Sequence, residues 1–295
     1  VVSGTEEILQ FDDPWSVLGW EVAEKAVDLY HSGALGSAEA FLRDHLDRIA
    51  EPVLRRALMT LHSLLKGFLL WDRFAHQGAF DCLNGASANV NLLAPLLSQP
   101  CIARLGRELP PLCERLHDLL PAKDGRPGAS FALVEDLMAN AARRMAEERF
   151  DDAVARYYRA LEATAQWRLA SEWGIPSAEA VPVQQVPREL AAIWLGEGKP
   201  EPFRIGLQDA FRLLAALGDE FAGRFHEAGL AGHCSGWESP DWGRQTLLSE
   251  RNRSILAHGF TPIGQKVSLQ LQRAAERVTG VAGQGNFSLP ELEVA

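Results

Sequence analysis

The chain has 295 residues, 47% hydrophobic and 23% charged, which is ordinary for a soluble globular protein of one large domain or two modest ones. A net charge of −10 gives no general attraction to nucleic acid or to anionic membrane, so any nucleic-acid contact must rest on a local basic stretch. Cys82, Cys101, Cys113 and Cys234 show no Cys-x-x-Cys spacing, which argues against a disulfide framework or a zinc ribbon and for reduced thiols in a cytoplasm.

No apolar run approaches the ~18 residues that span a bilayer, and no signal peptide is visible. The chain opens on Val1-Val2 without Met, which suggests a processed or cloned fragment. Residues 1–13 are acidic and irregular. From Pro14-Trp15 the residues Val17, Leu18, Val22, Ala26, Leu29 and Tyr30 recur at three- and four-residue intervals and predict a first helix. Gly33 to Gly36 breaks it, and Ala38 through Ile49 predicts a second. Pro52 suits a helix start, where its missing N–H costs nothing, so 53–74 reads as a longer helix. A shorter helix is expected at about 76–84, then a polar break from Asn84 to Asn91. Residues 90–120 read as helical with interruptions at Pro95, Pro100 and Pro110-Pro111. Lys123-Asp124-Gly125-Arg126-Pro127-Gly128 is a linker between two helical regions, 14–122 and 130–280.

In the second region, 130–148 carries Leu133, Leu137, Ala141 and Met145 at helical spacing. Residues 151–173 carry Ala153, Tyr157, Leu161 and Ala165, with Asp151-Asp152 at the positive end of the helix dipole. From Gly174 to Pro202 the chain is punctuated by Pro and Gly, with a short helix at 187–195. Helices return at 206–217, 219–228, 243–257 and 263–279, and 281–295 is a tail. Val181-Pro182-Val183 and Phe287-Ser288-Leu289 are the only strand-like pieces, so the expected class is mostly α with few or no strands.

The helix at 243–257 leads into Arg251-Asn252-Arg253-Ser254-Ile255-Leu256-Ala257-His258, followed by Gly259-Phe260. Arg251 and His258 are seven residues apart, two turns at ~3.6 residues per turn, so both project from one face. Leu247, Leu248, Ile255 and Leu256 then face a core. Residues 243–280 hold Arg244, Arg251, Arg253, Lys266, Arg273 and Arg277 against Glu250 and Glu276, a local net of +4 in a chain that is −10 overall. A permanent guanidinium beside an imidazole that titrates near pH ~6.5 suits chemistry on a phosphodiester. Metal-independent RNA cleavage needs a base for the 2′-OH, an acid for the departing 5′ oxygen and positive charge on the phosphorane. Each proton transfer is worth ~10²–10⁴ in rate. One Arg and one His do not supply acid and base together, whereas two copies joined as a dimer do. His226, His233 and Cys234 lie close in sequence but lack the second ligand pair of a metal site.

The Arg-Asn…His pattern resembles the signature of HEPN-domain ribonucleases. Asp151-Asp152-Ala153-Val154-Ala155-Arg156-Tyr157-Tyr158-Arg159-Ala160-Leu161-Glu162 with Gln166-Trp167-Arg168-Leu169 resembles the central helix of one HEPN group. Together with Trp71-Asp72-Arg73-Phe74 and Ser254-Ile255-Leu256-Ala257-His258-Gly259, it resembles the effector half of type III CRISPR ancillary ribonucleases, the Csm-six-like proteins that join a CARF sensor to a HEPN domain. The likeness spans roughly residues 14–280. It implies a HEPN-type helical domain with additional helical hairpins, and a homodimer that cleaves single-stranded RNA at a composite site. The catalytic set carried over is Arg251, Asn252 and His258, with His258 in proton transfer and Asn252 orienting. Arg253 lies five residues before His258, about 140° away on an ideal helix, and ranks below Arg251 as the essential arginine. Arg253, Arg244 and Lys266 are expected to bind RNA phosphate. No cofactor and no metal are implied. Regulation by cyclic oligoadenylate would come only through a CARF domain, which these mostly helical residues do not contain. The rival readings are a partner-binding scaffold, since Ala153-x3-Tyr157-x2-Ala160-Leu161 and Gly33-x4-Ala38-x3-Leu42 resemble tetratricopeptide hairpins, and a HEPN domain that binds RNA without cutting it.

Overall fold

Three helix starts are set by side chains that satisfy free N–H groups. The Glu51 carboxylate accepts from the Val53 amide at 3.0 Å and from the Leu54 amide, with Pro52 in the first turn. Ser130 Oγ accepts from Leu133 N at 3.2 Å, and Asp219 from Phe221 N at 2.9 Å. The computed structural model describes residues 14–93, 100–120, 130–244, 246–252 and 262–282. Among them are twelve α-helices: α1 Pro14–His31, α2 Leu35–Leu46, α3 Pro52–Asp72, α4 His76–Leu93, α5 Pro100–Asp118, α6 Phe131–Ala146, α7 Phe150–Ser171, α8 Arg188–Gly196, α9 Leu207–Ala216, α10 Glu220–Glu227, α11 Leu247–Asn252 and α12 Gln265–Thr279. The mostly-α expectation holds. Val181 forms one isolated antiparallel bridge with Phe203, and Val183–Gln185 is a 3-10 turn. Residues 1–13, the Lys123–Gly128 linker and Phe287-Ser288-Leu289 lie outside the described residues.

The described helices form two compact units, α1–α5 and α6–α12. In the first unit each helix packs against the next, and α1 also meets α3. Leu42, Leu58, Leu64, Leu65, Phe68 and Leu83 form its buried centre. The turn from α3 to α4 places Phe74 at φ 59, a left-handed conformation, and Ala75 N closes back on the Leu70 carbonyl at 2.9 Å.

Two expectations for this unit are corrected. The polar break from Asn84 to Asn91 is helix, the second half of α4. Leu83, Ala86, Val90 and Leu93 keep apolar spacing and are buried, so packing outweighs the weak propensity of the Asn, Gly and Ser between them. Nor do Pro110 and Pro111 interrupt α5. Both are exposed, on the face where an orphaned carbonyl costs least, while Leu109, Cys113 and Leu116 stay buried on the other face.

In the second unit α7 is central. Ala153, Tyr157, Ala160, Leu161, Ala163 and Ala165 are all fully buried, and these mostly small side chains let α6, α9, α11 and α12 pack against one helix. Glu148, at φ 58, closes the α6–α7 turn as Phe74 closes α3–α4. The helix expected from 243 begins later, at Leu247, because Gly243 at φ 77 and its neighbours form turns.

Gly67 marks the closest approach of α3 and α4, since a Cβ there would sit 2.6 Å from Leu83 Cδ2 and 2.7 Å from its Cγ. Gly67→Ala should destabilise the protein by ~1–2 kcal/mol: overpacking costs about 1–3 kcal/mol, of which a better helix former returns just under ~1. Thermal denaturation checks this, and an unchanged or higher midpoint would contradict the packing argument.

Candidate active site

The expected site residues fall into three groups. Arg251 and Asn252 end α11, described there by backbone alone. Arg253 and His258 lie outside the described residues. Arg244 and Lys266, one on each side of the segment, are exposed, and Arg244 pairs with Asp241 at 3.1 Å. What the structure describes in atomic detail is how the two flanks of this segment are held.

The upstream flank is a loop fastened to α9. Arg212 is only 5% exposed although its neighbours in α9 are apolar. Its Nε donates to the Trp237 carbonyl at 2.7 Å, its Nη2 to the Ser239 carbonyl at 3.3 Å and its Nη1 to Glu197 at 3.2 Å. Trp242 Nε1 donates to the Gln208 carbonyl at 3.0 Å, and its ring stacks on Phe225, which stacks on Phe211. The Gly243 amide donates to the Ala231 carbonyl at 2.7 Å. Gly232, at φ 86, lies where a Cβ would come within 2.6 Å of the Arg244 carbonyl, so the loop closes only around glycine. His226 Nε2 donates to the Cys234 carbonyl at 2.8 Å, so this sequence neighbour of His233 pins the same loop. From there Thr246 and Leu248 are buried, and α11 rests on α7 and α12.

The downstream flank is held by α7. The Ile263 amide donates to both oxygens of Asp151, at 3.2 and 3.1 Å, and Ile263 is itself buried. Asp152 beside it is committed elsewhere, to Arg149 and to Arg156. Burial by itself would raise the Asp152 carboxyl, but hydrogen bonding to Arg156 and the charges of Arg156 and Arg149 hold it below the usual range. Arg156 also donates to the buried Asn140 on α6, which joins the two helices at this end.

Sequence reading assigned Asp151 and Asp152 to the helix dipole together; the structure separates them into a flank clamp and an ion-pair centre. It missed Arg212, Gln208 and Trp242. The signal available was an arginine between Phe211 and Leu213-Leu214, an apolar context in which a charge must find partners.

Known protein families bear on these residues. The family model for the Csm6 HEPN domain matches residues 122–281, more than half of the chain, and that for the Csm6 6H domain matches 18–96. The CRISPR system endoribonuclease Csm6 of Thermus thermophilus is 29% identical over 294 residues, covering 93% of this chain and 57% of that protein. The chain therefore spans a little over half the length of this curated relative.

If Asp151 fixes the downstream flank, Asp151→Ala should accelerate amide exchange at Ile263, and a hydrogen bond to a charged acceptor is worth about 1.5–3 kcal/mol. Asp151→Asn, whose amide oxygen still accepts, should lose less. Equal exchange in parent and Asp151→Ala, read by hydrogen-exchange mass spectrometry, would remove the clamp.

Proposed function

Because the chain belongs to the Csm6 HEPN-domain family, we propose that it is a HEPN endoribonuclease of type III CRISPR antiviral defence that cleaves single-stranded RNA. The observation that carries this reading is Arg251-Asn252…His258 itself, inside the matched segment, between two flanks held by Asp151 and by the Arg212 network. The relative's name as an endoribonuclease supports the same chemistry.

In the mechanism we infer, the ribose 2′ oxygen attacks the adjacent phosphorus and the P–O5′ bond breaks, leaving a 2′,3′-cyclic phosphate and a 5′-hydroxyl. One His258 imidazole takes the 2′ proton and another protonates the 5′ oxygen. Arg251 stabilises the charge on the phosphorane through its planar fork, and Asn252 orients the reacting groups. Two histidines require two chains, so the centre is composite at a two-fold axis of a homodimer. Arg253, Arg244 and Lys266 hold flanking phosphates. The Arg244–Asp241 pair is exposed on both sides, with 71% and 59% of the side chains accessible, and so weak a pair yields to a phosphate. No divalent metal takes part. Activation by cyclic oligoadenylate would act through a CARF domain outside these residues, and the protein would work in the cytoplasm. Among the described residues no helix is long and apolar enough to cross a membrane.

Substituting Arg251 or His258 by Ala should lower RNA cleavage by at least ~10²-fold with helix content unchanged, as expected when a proton-transfer or charge-stabilising group is lost. Undiminished cleavage by His258→Ala would refute the assignment. Cleavage of labelled RNA should also persist in EDTA. Complete loss there, restored by Mg²⁺ or Mn²⁺, would replace this mechanism by a metal-dependent one. A parent chain that binds RNA and leaves it intact would favour the non-cutting HEPN reading.

A further inference from the structure

Lys266, Gln270, Arg273 and Arg277 are separated by four, three and four residues on α12. On a helix of ~3.6 residues per turn they form one stripe about 16 Å long. All four are exposed, while Leu271, Ala275 and Val278 bury the opposite side. Gln270, Arg273, Ala274 and Arg277 line a groove of about 340 Å³ whose other wall is Ala228, just after α10, and Leu247, the first residue of α11. Arg251 is four residues beyond Leu247, one turn along the same short helix.

The stripe keeps its charge. Arg277 Nη1 donates to the Glu227 backbone carbonyl at 3.1 Å, which steadies the guanidinium without neutralising it. Glu276 accepts from Gln272 Nε2 at 3.0 Å and lies about 80° round the helix from the stripe. Arg224, from the neighbouring α10, is paired with Glu220 at 3.3 Å and adds no free charge. Among the described residues no ion pair takes up Lys266, Arg273 or Arg277. In a chain of net −10, an unneutralised row of cations beside a groove is a local surface that attracts anions.

We propose that Arg273 and Arg277 bind successive phosphodiesters of the RNA strand as it leaves the cleavage centre, with Ala228, Leu247 and Ala274 as the apolar floor under a ribose or base edge. This rests on the endoribonuclease reading and extends its phosphate contacts from Lys266 along the rest of α12. Guanidinium forks one turn apart on a rigid helix suit phosphate oxygens presented in series, and they carry no base preference.

The test is the Arg273→Gln/Arg277→Gln variant of the full chain, compared with the parent and with Arg204→Gln, a control at an 80% exposed arginine paired to Glu179. Each single-strand phosphate contact contributes ~0.7 to the slope of log affinity against log salt, so two lost contacts should lower it by ~1.4. RNA affinity by fluorescence anisotropy should fall about tenfold or more at low salt, and the loss of cleavage should be concentrated in KM. Arg204→Gln should match the parent. If the double variant misfolds by circular dichroism, Arg273→Gln alone should lower the slope by ~0.7. A parent that cuts RNA while the variant keeps its KM and salt slope overturns the track and leaves the endoribonuclease reading standing. A variant that instead changes oligomeric state in sedimentation assigns the stripe to an interface between copies and overturns the track. A parent that neither binds nor cuts RNA overturns both.

Discussion

The Ile263 amide meets the Asp151 carboxylate at 3.1–3.2 Å, and through this contact the first turn of α7 holds the chain immediately downstream of the Arg…His segment. A segment with free ends would lose conformational entropy each time it adopted a single geometry. Ends fixed by the fold have already met that cost. The upstream end is fixed by different chemistry, a buried arginine and a stacked tryptophan, yet both ends refer back to the same unit: Asp151 on α7, and Arg212 on α9, which packs against α7.

The far end of α7 is held by a second carboxylate. Asp219, whose side chain is 0% exposed, accepts from Arg168 Nε and Nη2 at 3.1 and 2.9 Å, from Trp173 Nε1 at 3.0 Å and from the Phe221 amide at 2.9 Å. The Arg168 guanidinium also lies 4.9 Å from the Phe221 ring centroid. Removing a buried charge from water is costly, and with both carboxylate oxygens engaged the return is a unique geometry more than added stability. A central helix lined by alanines could slide or rotate against its neighbours, because small side chains interlock weakly. Charged contacts at its two ends fix its register.

The charge distribution follows the same division of labour. The acidic body favours solubility and gives no long-range attraction to a polyanion, and among the described residues a row of exposed cations runs along α12. Any binding of a polyanion on this plan would be local and would depend on few contacts.

The sequence alone determined the helical class and most helix positions, because three- and four-residue apolar spacing is a local property of the chain and packing reinforced it. It also offered Arg251, Asn252 and His258 as candidates, since that residue pattern resembles a family signature. It misjudged the half of α4 from Asn84 to Asn91 and the prolines of α5, where propensity and burial disagree and only the position of the core decides between them. The roles of Asp151, Arg212 and Trp242 were not legible. Asp151 meets Ile263 across 112 positions, and Trp242 meets Gln208 across 34. No periodicity encodes such pairs, and they exist only once the helices have packed and brought donor and acceptor within reach.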